Sequence, residues 1–269
     1  MVYNVYGDES SDEKCKIVFA VAGLFGDDEQ WSRCVSKWTD ITEGEEFHAA
    51  EWDTPKHRRQ YIALVHVLAE STLIGWGSAM DVRNYERLFP KAVEQLPYYQ
   101  CFSSVVEHFG HYVRFCIPPG AVEFTFDQNL ETQYHASKLY HHMRTEQNWV
   151  DRDFVADKIS FATRKTPNVQ VADLWARELM KDFENTIGPV RRPMRISFDV
   201  LRNTHRFGSE IYDTKYFEDM KAALERMYES GRGPGEYDAW RAQRGVQDNT
   251  ETRMQYMFYL SKFRKAANQ

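Results

Sequence analysis

The sequence predicts a mixed α/β fold, and three observations point to it. Short runs rich in aromatic and β-branched residues recur along the chain, and apolar stripes of helical period lie between them. Their order is β-β-α-α-β-α-β-α-β-α, the signature of a sheet layered with helices. With 269 residues and 42% hydrophobic content, the chain can bury a sizeable core as one domain plus an appendage.

The first strand spans residues 2–7 and ends at a glycine that releases two adjacent acids, Asp8 and Glu9. A second apolar run, Lys16 to Phe25, follows a short polar loop, so the pair reads as a hairpin. A helix over 28–40 leads to the polar run Glu43–Glu46, a solvated loop. Phe47-His48-Ala49-Ala50-Glu51 then precedes a helix over 55–70, whose start is marked by Thr54-Pro55. A strand over 72–80 and a helix over 98–116 come next; the helix buries Phe102, Val105, Val106, Phe109, Tyr112 and Val113 and turns Glu107 away. Glu123 to Asp127 alternates as a strand and ends in an acid. The helix after it (131–147) carries His135, His141 and His142, which read as a polar face. A strand over 157–161 and a helix over 168–184 complete the predicted core.

Acids at the tip of a central strand are costly unless a cation or a substrate proton meets them. For Asp8 and Glu9 the alternative is a polar turn that only closes the hairpin. Asp127 repeats the pattern at a second strand end. Asp173 falls at the edge of the stripe formed by Val169, Ala172, Ala176, Leu179, Met180 and Phe183, so it leans toward the core. Gln170, one turn earlier on that flank, can share a site with it; an ion pair to Arg177 is the plainer alternative.

Strand-Tyr6-Gly7-Asp8-Glu9-Ser10, Phe47-His48-Ala49-Ala50-Glu51, the strand ending at Asp127, and Lys158-Ile-Ser-Phe-Ala…Gln170-Val-Ala-Asp173-Leu together resemble the bacterial and phage family catalogued as domain of unknown function 3800. The resemblance covers roughly residues 1–185 and implies a ribonuclease H-like mixed sheet flanked by helices. It also implies metal-dependent phosphodiester hydrolysis, with Asp8, Asp127 and Asp173 at metal-holding positions and Mg²⁺ or Mn²⁺ as cofactor. The fourth carboxylate of such enzymes usually stands on the helix before the fourth strand, where this chain offers only Glu107. Glu51 is the better candidate, at a position earlier than that topology gives. Glu9, His48 and Gln170 would support the four acids, His48 as ligand, donor or structural histidine.

Residues 186–269 read as a helical extension. Residues 184–269 carry 15 Lys/Arg against 12 Asp/Glu, an excess of +3 that leaves −9 for residues 1–183 of the net −6. The excess gathers at Arg191, Arg192, Arg195, Arg202 and Arg206, with Phe198 and Phe207 among them. Guanidinium groups and rings suit a DNA or RNA strand; a basic surface that balances the acidic core is the alternative. Residues 230–248 read as a loop, and a terminal helix from Asn249 would dock on the core or on a second copy, making a homodimer.

The cysteines, Cys15, Cys34, Cys101 and Cys116, lack CxxC pairing, which fits reduced thiols in a cytoplasmic chain rather than a zinc site or a disulfide framework. No apolar run is long enough to span a membrane, and the first residues lack a signal-peptide pattern. Two rivals to a nuclease stay open: a non-catalytic nucleic-acid-binding or interaction protein on the same fold, and a metal-free carboxylate-pair hydrolase. The second is weakened because adjacent Asp8 and Glu9 project to opposite faces of a strand.

Overall fold

A computed structural model describes residues 1–12, 15–88, 96–130, 132–145, 149–229 and 237–249, together with Thr252 and Tyr256. Its centre is a six-stranded mixed sheet. The first two strands, β1 (Val2–Ser11) and β2 (Val18–Gly26), form the expected antiparallel hairpin. Helices α1 (Asp28–Thr42), α2 (Ala49–Trp52) and α3 (Arg58–Glu70) lead to β3 (Ile74–Asp81), which pairs antiparallel with β2. Helices α4 (Val82–Leu88) and α5 (Leu96–Val113) lead back to β4 (Ala121–Asp127), parallel to β1. Helix α6 (Gln133–Thr145) is followed by β5 (Ser160–Ala162), parallel to β4, and then by the long helix α7 (Pro167–Ile187). Beyond it come α8 (Ile196–Arg202), β6 (Phe207–Tyr212), α9 (Thr214–Glu229) and α10 (Tyr237–Arg244). β6 pairs parallel with β3, so the sheet order is β5-β4-β1-β2-β3-β6. Three successive antiparallel strands with two parallel ones added beside β1 make the ribonuclease H-like arrangement, flanked by helices on both faces.

Strand alternation sorts the core into two layers. Tyr3 and Val5 of β1, Phe19 and Val21 of β2, and Val122, Phe124 and Phe126 of β4 pack with Phe102, Val105 and Phe109 of α5. Ala20, Ala22 and Leu24 of β2 face the other way, onto Trp31 of α1, Leu64 of α3 and Leu179 of α7. β2 is therefore buried along its whole length and reads as a continuous apolar run rather than an alternation. α7 begins with Pro167 at its first turn and buries every residue from Val169 to Ala176.

The 186–269 segment departs from the expected helical extension by adding β6 to the central sheet, and from its expected form in two further places. Phe198 and Phe207 are buried against Trp175, with ring centroids at 5.8 and 5.1 Å, so neither is exposed to stack on a base. Phe198 and Leu201 lie one turn apart on α8 and form its core-facing stripe. The supposed loop at 230–248 contains α10, held by buried Trp240 packing on Tyr237 and Tyr256. The terminal helix predicted from Asn249 falls almost wholly outside the described residues. All four cysteines are free thiols, and no helix among the described residues is long and apolar enough to cross a membrane.

Candidate carboxylate site

The parity that builds the core also aims the acids. Odd residues of β1 point into the α5 layer, so Asp8 points to the α7 side; in β4 the even residues take the α5 layer, and Asp127 joins Asp8. The parallel register sets Gly7 opposite Phe126, so Asp8 and Asp127 follow as neighbours where the β1–β4 ladder ends. Gly7 is required there: a Cβ would lie 2.5 Å from the Phe126 ring. From the buried flank of α7, Asp173 meets both.

Asp173 is fixed by the Phe47-His48-Ala49 segment. Phe47 is fully buried between Trp38 and Trp52, at 4.9 and 5.3 Å, and so anchors the entry to α2 against α7. That places the Ala49 N–H 2.8 Å from Asp173 Oδ2, with His48 Nδ1 2.9 Å from the same oxygen. Arg177, the alternative partner of Asp173, lies instead 3.7 Å from Asp53. Asp127 has Arg164 Nε at 3.6 Å, supplied by the loop between β5 and α7. Gln170 holds that loop: its Nε2 donates to the Arg164 carbonyl at 2.7 Å, and its Oε1 accepts from Trp38 at 3.4 Å. The Gln170 amide is thereby engaged within the fold rather than offered to a water or a phosphate.

The acids are not balanced. Burial drives the Asp8 carboxyl well above its ordinary range, and the neighbouring charges of Asp173, Glu9 and Asp127 push it further; only the Glu9 N–H, 2.7 Å from Asp8 Oδ1, opposes them. Glu9 is held up to about 7, mainly by burial, although Asn129 Nδ2 donates to its Oε1 at 2.7 Å. Its other oxygen, Oε2, is buried without a hydrogen-bond partner. Asp127 is raised by burial and pulled back by Arg164. Four acids thus share the neighbourhood with the cation Arg164 and with His48.

The residues singled out in the sequence divide accordingly. Asp8, Asp127 and Asp173 come together, with His48 on Asp173. Glu51 does not join them: Ala49 and Trp52 take the buried side of the one-turn helix α2 and leave Glu51 exposed. The fourth acid is Glu9, which strand alternation sets on the other face of β1 from Asp8; its charge still acts on Asp8, and beyond Gly7, where the β1–β4 ladder ends, the loop after β4 brings Asn129 to it. Arg164 and Asn129 were missed as well. Their only signal is position, immediately before α7 and immediately after Asp127.

Arg195 is not available to nucleic acid. Its Nε and Nη2 donate to the fully buried Glu178 at 3.0 and 2.9 Å, and Nη2 also reaches Asp53 at 3.1 Å. Arg191 and Arg192 are exposed. Among the described residues, no group of three or more His, Cys, Asp and Glu side chains is gathered closely enough to hold a metal ion. The donor chemistry nevertheless fits a hard divalent cation: the neighbouring acids offer carboxylate oxygens, and one buried oxygen, Glu9 Oε2, has no hydrogen-bond partner.

No family model and no curated protein matches this chain. Among solved structures, a chain of the PCNA:RNase HII complex from Archaeoglobus fulgidus is similar at 13% identity and a TM-score of 0.41, over 86% of this chain and 91% of that one. That likeness is too slight to bear on activity or partners.

Proposed function

We propose that this protein is a metal-dependent phosphodiester hydrolase acting on nucleic acid. One observation carries the reading: Asp8, Glu9, Asp127 and Asp173 crowd one another where β1 and β4 meet α7, with too little positive charge to offset them. Buried acids left in this state destabilise a fold unless a cation compensates them. The resemblance to the domain of unknown function 3800 family supports the same reading.

Asp8, Asp127, Asp173 and Glu9 are the residues that would hold Mg²⁺ or Mn²⁺. When bound, the ions would activate the attacking water and stabilise the leaving oxygen. The chain's own groups do the rest. His48 and the Ala49 N–H hold one oxygen of Asp173 and would leave the other for a cation. Arg164 is positioned to take a phosphate oxygen once a cation relieves it of Asp127. Glu9 Oε2, buried and unpartnered, can accept a proton from water or bind an ion.

The test is Mn²⁺-dependent cleavage of DNA and RNA substrates. Wild type should cleave at least one; Asp8→Asn and Asp127→Asn should cleave none while still binding it. A second reading, a non-catalytic binding protein, is favoured by the internal pairing of Asp127 with Arg164 and of Asp173 with His48. It would be the better account if wild type binds nucleic acid but no divalent cation.

A further inference from the structure

A cavity of about 440 Å³ opens beside α7, between α2, the start of α3 and the segment that enters α8. Its charged lining is one-sided. Asp53 is already shared by Arg195 and Arg177, and Arg195 is further engaged by buried Glu178. Two other lining arginines, Arg58 and Arg192, are exposed and make no ion pair among the described residues. Of the charged residues that line the cavity, Arg58, Arg192 and Arg195 stand against Asp53, an excess of two positive charges. Trp52 forms part of the wall, and the exposed apolar side chains of Met194 and Ile196 stand at the mouth.

The cavity is tied to the carboxylate site by α2. The first residue of that helix, Ala49, donates to Asp173, and its last, Trp52, lines the cavity. A strand held at the carboxylates and running along α2 would reach this opening.

We propose that the cavity is a phosphate subsite for a nucleic-acid strand, in which Arg58 and Arg192 bind a phosphate flanking the one at the carboxylates. This rests on the nuclease reading for the strand's path. The phosphate chemistry itself rests on the two uncommitted guanidinium groups, whose planar donor forks match phosphate oxygens. The Arg195–Glu178–Asp53 network is the rigid floor that keeps them apart from any carboxylate of the fold.

Binding of labelled single-stranded DNA and RNA by full-length protein, in EDTA and across a range of salt, tests the subsite without any cleavage. For the double variant R58A/R192A, binding should weaken and the slope of log K against log[salt] should become shallower by about 1.4, since two phosphate contacts release ~0.7 counterions each on a single strand. R58K/R192K, which keeps the charges, should retain the wild-type slope, and Arg33→Ala, in an exposed pair on α1, should behave as wild type. An unchanged slope and affinity in R58A/R192A overturns the proposal, as does a wild type that binds no strand. AMP, followed by tryptophan fluorescence, separates the sources: binding of AMP that R58A/R192A loses, with strand binding unaffected, makes the cavity a free-nucleotide site and overturns the strand assignment. Loss of slope in a protein that never cleaves with Mn²⁺ would sink the nuclease reading and leave the subsite standing. Cleavage by wild type with no slope change would do the opposite.

Discussion

Two acids five residues apart on the same buried helix have opposite surroundings. Glu178 is fully buried, yet its two oxygens receive Tyr61 Oη at 2.6 Å, Ser197 Oγ at 2.6 Å and two Arg195 donors at 3.0 and 2.9 Å. Asp173 is nearly as buried, but it receives only Ala49 N–H and His48, and it looks onto Asp8 and Asp127. A buried carboxylate saturated with donors holds a fold together, as Glu178 pins α3 and the entry to α8 onto α7. A buried carboxylate set among other carboxylates works against the fold until something binds it. Along α7, less than two turns therefore divide structure from chemistry.

The sharpest way to break that division is to remove one acid from each of the two surroundings. Glu178→Ala should cost about 3–5 kcal/mol in denaturant unfolding, because it strands Arg195 beside an emptied site. Asp8→Asn, on β1 across from Asp173, should instead stabilise the cation-free protein, since it deletes a carboxyl that its neighbours repel; each unit by which burial and repulsion raise a carboxyl pKa corresponds to about 1.4 kcal/mol. Effects of equal sign at the two positions would mean that the surroundings do not differ as described. Next in size is Gly7→Ala, where the added Cβ must displace the Phe126 ring; an overpacking cost of about 1–3 kcal/mol is expected in the same unfolding assay, with loss of the Asp8–Asp127 alignment.

A smaller effect sharpens the comparison through pH. Glu9 keeps its proton in the folded state up to about 7, whereas the unfolded chain releases it near the ordinary 4.5. The folded state thus binds more protons in that window, and cation-free stability should fall as pH rises from about 4.5 through about 7. His108, lowered to about 4 by burial from its ordinary 6.5, contributes the opposite slope over much of the same range. The difference between wild type and Glu9→Gln isolates the Glu9 share: melting curves of the variant should lose part of the alkaline decline. Identical pH profiles would show that Glu9 ionises as an ordinary surface acid.

Much of this was legible in the sequence. The strands through Asp127 and the helical stripe around Asp173 are local patterns of period two and period 3.6, and local patterns survive without knowledge of the partner. β6 was not legible, because Phe207-Gly208-Ser209-Glu210-Ile211-Tyr212 becomes a strand only by pairing with β3, far away in the chain. Arg195 misled for the same reason: it reads as part of a basic surface until Glu178, hidden among the apolar residues of α7, supplies its counter-charge. Glu51 and Glu9 exchanged places because alternation along a strand says which face a side chain takes, but not where a neighbouring strand stops. The β1–β4 ladder ends at Gly7 while β1 runs on to Ser11, and there the loop carrying Asn129 reaches Glu9.

Calorimetric titration of the wild type and Asp8→Asn with Mn²⁺, at a pH above 7, tests most directly whether the acids crowded between β1, β4 and α7 form a cation site. The account predicts saturable binding by wild type, with stabilisation of about 2.7 kcal/mol once the free ion reaches a hundred times its Kd, and its loss in Asp8→Asn. Equal Mn²⁺ affinity in the two proteins, or none in wild type, would contradict it.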